Sequence, residues 1–439
     1  MTTSNDSKMG IWMTTALVVG TIIGSGIFML PVSLAPLGRN VLIGWAISGI
    51  GVLCVVSAMA RLSRLGGDGI QANIEREFGP TIGFLVAWSF WVSNWTAQAS
   101  VAVGAVSALS FISPAFGGQR LIVPLAILVI IGLTAINAMG VRASGRFSIV
   151  TVAIKLLPLF AVIWLFGERG ASGTAFEALP PAAISFANIA SATALTFFAL
   201  SGFESATAPV GKVRDPSRTI PRALLGGTIF VILLYLLAGT SIQLLLPADV
   251  VANSPAPFAD AIAGRWGQIA AAFAAFAISV AAIGCLNGLI LGTGELGYGM
   301  ALRGDLPAAM TRTRGVNTPV VAQAVGAAVT ILLLLANSSR ATAGLFTFII
   351  LLSTAAIIVL YATATLAAWK LSKHFAARLG IIVALLFLAF AAYGTGAEAI
   401  FWSLVLLGIG LLVRTLMHRM NSRAATSPAA APAPAGPRE

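Results

Sequence analysis

The sequence predicts an all-α polytopic membrane protein of about twelve transmembrane helices, built as an inverted repeat of two five-span halves with broken helices 1 and 6, plus two extra C-terminal helices. Three observations carry this expectation. Of 439 residues, 58% are hydrophobic and 9% charged, and the mean hydropathy is +0.96; ordinary soluble domains have about 25% charged residues. Apolar runs of about 20 residues, each long enough to cross a bilayer, recur from Ile11 to Met417. The first and sixth of these runs are interrupted by small and polar residues followed by proline.

The first interruption is Gly20-Thr21-Ile22-Ile23-Gly24-Ser25-Gly26-Ile27-Phe28, with Pro31 just beyond. Glycine costs helix stability and proline removes a backbone donor, so span 1, over 11–37, is expected to break here. Unpaired backbone groups at membrane depth survive only where protein buries them or they line a wet cavity, so the break marks a candidate binding site. Span 2 follows over 41–59, and residues 62–79, rich in glycine and charge, read as an interfacial loop or short helix on the cytoplasmic side.

Span 3, over 81–112, is long enough to tilt and carries Trp91, Ser93, Asn94, Trp95, Thr96 and Gln98 in its middle. Span 4 covers 121–138, and span 5 covers 147–166 with Lys155 near its centre. An irregular outer loop, 167–183, leads to span 6 from about 184, which meets the second interruption at Ala199-Leu200-Ser201-Gly202-Phe203-Glu204-Ser205, with Pro209 further on. Spans 7 to 10, over 224–246, 269–300, 320–335 and 345–368, complete the second half. Spans 11 and 12, over 379–393 and 400–417, stand outside the repeat.

The resulting organisation is a cytoplasmic N-terminus over 1–10 and a transmembrane domain over 11–420, followed by a disordered cytoplasmic tail over 421–439 rich in Ala, Pro and Ser. Within the membrane domain, repeat one spans about 11–166, repeat two about 184–368, and spans 11 and 12 about 379–417. The first ten residues lack a signal-peptide cleavage pattern, so span 1 is expected to be retained.

A net charge of +12 raises nucleic acid as a partner, but its distribution argues for orientation instead. If span 1 leaves the cytoplasm, twenty of the 26 Lys and Arg fall in cytoplasmic segments and five (Arg39, Arg120, Arg169, Arg265 and Arg340) in outer loops, with Lys155 inside a span. That bias satisfies the positive-inside rule, places both termini in the cytoplasm and leaves no nucleic-acid partner to invoke. Cys54 and Cys285 both lie in apolar runs, so neither a disulfide framework nor a metal site is expected. The two histidines, His374 and His418, lie near cytoplasmic span ends. No metal cluster or nucleophile–base arrangement is visible, so the chain does not read as an enzyme. A channel is the other rival; it needs a continuous pore, whereas paired broken helices suit a closed site reached from alternating sides.

Gly24-Ser25-Gly26-Ile27-Phe28 together with Ser201-Gly202-Phe203-Glu204-Ser205 resembles the amino acid-polyamine-organocation superfamily. The cytoplasmic pieces Phe78-Gly79-Pro80, Arg214-Asp215-Pro216-Ser217-Arg218-Thr219-Ile220-Pro221 and Asn317-Thr318-Pro319-Val320 resemble it too. The nearest likeness is the basic amino acid/polyamine antiporter group, which includes bacterial arginine/agmatine exchangers. The resemblance implies a cofactor-free, multi-pass carrier in the cell (inner) membrane that exchanges amino acids or their amines by alternating access; it leaves a homodimer open. It also implies that Ser25 and Gly26 meet the substrate carboxylate while the carbonyls of Ile22, Phe198 and Ser201 meet the α-ammonium, with Gly202 shaping the second break. A half-helix N-terminus offers free N–H donors and partial positive charge, and exposed carbonyls suit a cation.

The side-chain pocket departs from the arginine exchangers. Their span 8 tryptophan, which stacks on the guanidinium, is matched by Gly292, their span 6 tryptophan by Phe198 and their span 3 asparagine by Gln98. A desolvated cation–π contact is worth about 2 kcal/mol, so carriage of neutral amino acids, proton-coupled or facilitative, stands as the alternative.

Three ionisable residues lie within spans, Lys155, Glu204 and Glu295, each costing a few kcal/mol on insertion scales and each therefore a candidate for coupling or gating. By resemblance, Lys155 takes the place of a sodium ion bridging spans 1 and 8. Glu204 either exchanges a proton or caps unwound backbone. Glu295, with Gly292 and Asn287, is expected on one face of span 8, where it receives a cationic tail, pairs with Lys155 or lies in water near the cytoplasmic end. Trp45, Trp164, Trp369 and Trp402 read as interfacial anchors, while Trp91 and Trp95 are candidates for lining the pathway.

Overall fold

The computed structural model describes residues 9–24, 26–64, 70–139, 145–204, 213–314 and 318–426. A chain this apolar must satisfy its backbone within each segment, and helices do so without partners. Fourteen α-helices form among the described residues: α1 (Ile11–Ile22), α2 (Gly26–Leu34), α3 (Asn40–Ser63), α4 (Ile70–Phe78), α5 (Pro80–Ala108), α6 (Gln119–Ala138), α7 (Gly145–Ala171), α8 (Phe186–Leu200), α9 (Pro216–Leu245), α10 (Ala248–Asn253), α11 (Pro257–Leu302), α12 (Val320–Ala336), α13 (Thr342–Leu371) and α14 (Phe375–Thr426).

Six of these, α3, α6, α9, α11, α13 and α14, are long and apolar enough to cross a membrane, and α1 with α2, bent by 42° at their break, makes a seventh. Gly396, at φ +83°, divides α14 between the expected spans 11 and 12. Helices α5 and α7, of 29 and 27 residues, have the length for spans 3 and 5. Helices α8 and α12 are shorter, and the second half of span 6, with Ser205 and Pro209, lies outside the described residues, as does Ser25.

Local sequence sets the helix starts. Pro80, Pro216 and Pro257 each occupy the first turn of their helix, where the missing N–H costs nothing. Ser185 caps α8 by accepting from the Asn188 amide at 3.2 Å. The segment before α5 does form a short helix, α4, as expected for 62–79.

The core is organised about the breaks. α3 packs on α8 and α9, α1 on α9, α7 on α11 and α9, and α5 along α11 and α13. Apolar side chains such as Leu128, Phe273 and Leu386 face outward, as lipid contact requires. The predicted cytoplasmic end is stitched by ion pairs: Asp305 takes Arg414 at 2.9 Å and His418 at 3.1 Å, Glu75 takes Arg303 at 3.4 Å, and Glu77 takes Lys370 at 3.3 Å. At the opposite, arginine-poor end Arg169 pairs with Glu177, Arg265 with Glu168 and Arg340 with Glu398.

Three expectations are corrected. Trp45 is 1% exposed and packs edge-on against Tyr235 at 6.3 Å; it is a core residue, not an anchor, because α3 is enclosed by α8 and α9 at that point. Trp91 and Trp95 are buried in a cluster with Met300, Met310 and Ala322, and the Trp91 indole donates to the Thr293 carbonyl at 3.1 Å; they fill the joint of α5, α11 and α12. The final helix continues to Thr426, into the segment read as tail, because Met420 to Ala425 extend the helical run before the prolines begin.

Candidate functional site

A helix that stops leaves its last four carbonyls without intrahelical partners, and the end of α1 shows where each goes. Val19 O accepts the Ile23 amide at 2.9 Å. Gly20 O accepts the Lys155 ammonium of α7 at 3.2 Å. Ile22 O accepts both the Gly24 amide at 2.9 Å and the Tyr235 hydroxyl of α9 at 3.3 Å. Thr21 O faces the second break: a Cβ built on Gly202 would stand 2.6 Å from it.

Gly202 is therefore required twice over. Its φ of +109° excludes ordinary side chains, and the Thr21 carbonyl fills the space where one would go. Just before it, α8 ends at Leu200, and Phe198 O accepts from both the Ser201 amide at 3.1 Å and the Ser201 hydroxyl at 2.6 Å. Just after it, the Glu204 carboxylate folds back to accept the Gly202 amide at 3.0 Å and the hydroxyl of Tyr361 from α13. Tyr361 stacks on Phe203, with centroids 5.0 Å apart and planes at 15°. Phe198 closes the other side, its ring edge 3.0 Å from a Cβ built on Gly26, the first residue of α2.

The expected site residues thus divide. Ile22, Gly26, Phe198, Ser201, Gly202, Lys155 and Glu204 surround the two breaks. Ser25 lies outside the described residues. Cys285 of α11 also belongs here: its sulphur is 3.3 Å from a Cβ built on Gly24. The Lys155 ammonium thus reaches α1 from α7, a helix that also packs on α11.

Gln98, Gly292 and Glu295 are not joined to the breaks by any described contact. The Gln98 amide donates to the Thr293 hydroxyl at 2.6 Å and accepts from Thr330 at 3.5 Å, so it ties α5 to α11 and α12. A Cβ on Gly292 would meet no described atom within 4 Å, and Glu295 is exposed. Glu295 follows Cys285 by ten residues, about 15 Å along a helix axis. Asn287 does not share their face: its amide oxygen accepts from Asn137 of α6 at 2.9 Å, because a five-residue step to Gly292 turns a helix by well over a right angle.

Two residues that sequence reasoning passed over complete the site, Tyr235 and Tyr361. A signal existed. Of the four tyrosines, Tyr298 and Tyr393 lie close to the ends of their expected spans while Tyr235 and Tyr361 lie well inside theirs, and a phenol buried in an apolar core must find a partner.

Residues 9–422 match the profile of a family described as Amino acid permease. The chain is 29% identical over 317 residues to a cadaverine/lysine antiporter of Escherichia coli K12, covering 69% of each. It is 31% identical over 276 residues to a putrescine transporter of the same organism, covering 60% of this chain and 61% of that protein.

Proposed function

The chain belongs to the amino acid permease family, and from that premise we propose that it is an antiporter that exchanges amino acids or their amines across the cell (inner) membrane, with both termini cytoplasmic. The observation that carries this reading is the interlock of the two breaks, Gly202 against Thr21 and Phe198 against Gly26. Two facing half-helices there present backbone donors and acceptors together, and no stable span needs such an arrangement for its own sake.

In this reading the N-terminus of α2 at Ser25 and Gly26 receives the substrate carboxylate, and the carbonyls of Ile22, Phe198 and Ser201 receive the α-ammonium. The carbonyls of Ile22 and Phe198 already hold protein donors, Tyr235 and Ser201. Substrate binding then replaces those donors, so the empty site stays satisfied and the cycle pays little to load it. Lys155 holds α1 through Gly20, and Glu204 with Tyr361 holds the second break; their release and reformation couple occupancy to movement.

The two relatives are named for cadaverine, lysine and putrescine, which favours cationic substrates or arginine/agmatine-like pairs. A second reading, carriage of neutral amino acids, is favoured by the spent carboxylate of Glu204, the distance of Glu295 and the cation of Lys155 at the break. Competition decides between them: in proteoliposomes, unlabelled arginine, lysine and cadaverine should inhibit uptake of labelled lysine, and inhibition by leucine and alanine alone would transfer the assignment to the neutral class.

A further inference from the structure

We propose that the arginine-poor end carries a second, outer subsite for an alkylammonium group, built from Asp260, Ser110 and Phe111. A cavity of about 470 Å³ opens there between the end of α5 and the start of α11, lined by Ser110, Phe111, Pro114, Pro255, Ala256 and Asp260. Beneath it the same Pro255 and Ala256 wall a cleft of about 10 Å³ against Phe28, Met29 and Phe258, with room for a single water. Phe28 and Phe258 meet edge to face at 5.1 Å. Phe28 lies two residues into α2 from Gly26, so this pair plugs the way from the cavity to the first break.

Two polar groups make the cavity more than a surface dent. Asp260 is half-buried; its Oδ2 accepts from Ser254, whose hydroxyl also takes the Ala256 amide at 3.0 Å, while Oδ1 enters no described hydrogen bond. Ser110 is 6% exposed, and its hydroxyl, enclosed in the cavity wall, has no hydrogen-bond partner among the described residues. A buried hydroxyl without a partner costs about 1–3 kcal/mol, and the Ser254–Asp260 hydrogen bond at the start of α11 does not relieve it. One carboxylate oxygen and one hydroxyl are too few to hold a bare metal ion, which needs six or more oxygens in the case of calcium. They suit the N–H donors of an ammonium once the Ser110 hydroxyl turns about χ1 from the wall into the cavity, with Phe111 and the prolines beside its alkyl stem. The proposal rests on the amine-exchange reading only for its choice of ligand: amines would wait here, outside the Phe28–Phe258 plug, before reaching the breaks.

The test is equilibrium binding of labelled cadaverine to the purified full chain, with uptake measured in proteoliposomes. The wild type should bind two equivalents, one tight and one weak. Ser110→Ala and Phe111→Ala should each weaken the second equivalent by about five-fold or more, raise the uptake KM from the arginine-poor side and leave the maximal rate unchanged. Asp260→Asn should do the same, and if it unfolds α11 the other two variants decide. Gly26→Val, which crowds Phe198 at the breaks, should lose the tight equivalent and keep the weak one. A single equivalent in the wild type, or a weak equivalent that survives in every cavity variant, overturns the outer subsite. Weak binding without exchange of any amine sinks the substrate reading while the subsite stands.

Discussion

Gly202 and Thr21 meet backbone to backbone: a side chain on Gly202 would place its first carbon 2.6 Å from the Thr21 carbonyl oxygen. The contact joins the sixth span to the first across 181 residues of sequence and fixes the distance between the two breaks. Gly202→Ala is expected to cost about 1–3 kcal/mol from its φ of +109° alone, and to lower exchange at least ten-fold. Gly132→Ala, where a Cβ meets no described atom within 4 Å, should leave uptake unchanged. Equal uptake by the two variants would show that the breaks do not need to touch.

Lys155 replaces the hydrogen bond that Gly20 O loses when α1 stops. Lys155→Ala should abolish exchange while the protein still reaches the membrane in normal amount, as read by transport per mole of extracted protein. Uptake at the wild-type rate would remove Lys155 from the transport cycle.

Glu204 accepts from the Gly202 amide and from Tyr361. If its carboxylate exchanges a proton during the cycle, Glu204→Gln should flatten the dependence of exchange rate on pH. Tyr361→Phe, which removes one donor and keeps the acid, should move the profile without flattening it. A full wild-type profile in Glu204→Gln would reduce Glu204 to a backbone cap.

Tyr235 occupies the Ile22 carbonyl that the substrate ammonium is proposed to use. Removing that competitor with Tyr235→Phe should tighten equilibrium binding of substrate by up to about five-fold, the worth of one hydrogen bond. Weaker binding would mean that the hydroxyl contacts the substrate or holds α1 in shape.

Cys285 gives an independent reporter of the breaks, because its sulphur lies beside Gly24. In a Cys54→Ser background it is the sole thiol of the chain. Alkylation of Cys285 should inhibit uptake and be slowed by saturating substrate; labelling that proceeds at the same rate with and without substrate would place the occupied site elsewhere.

Much of the fold was legible because the membrane simplifies the code. Hydropathy alone separates the spans, and glycine with proline at 20–31 and 199–209 is costly enough in lipid to mark the breaks. The division of α14 at Gly396 fell between spans 11 and 12 for the same reason. What could not be read was rotation. Gln98 lies in the expected span but turns toward Thr293 and Thr330, and Asn287 turns away from Gly292 and Glu295 toward Asn137, because apolarity all round leaves little periodic signal to orient a buried helix. Trp45 was misjudged through the usual preference of tryptophan for interfaces, which enclosure by α8 and α9 overrode. Tyr235 and Tyr361 were missed for a related reason: their importance lies in backbone carbonyls and a carboxylate that only the fold brings to them.

Trans-stimulation tests the central claim most directly. Proteoliposomes containing the full chain are loaded with unlabelled lysine or cadaverine, or left empty, and the initial uptake of labelled lysine is compared. An exchanger whose substrate sits between two paired breaks should take up label several-fold faster into loaded vesicles, and Gly26→Val should abolish the difference. Equal rates into loaded and empty vesicles, or stimulation that survives Gly26→Val, would contradict the account.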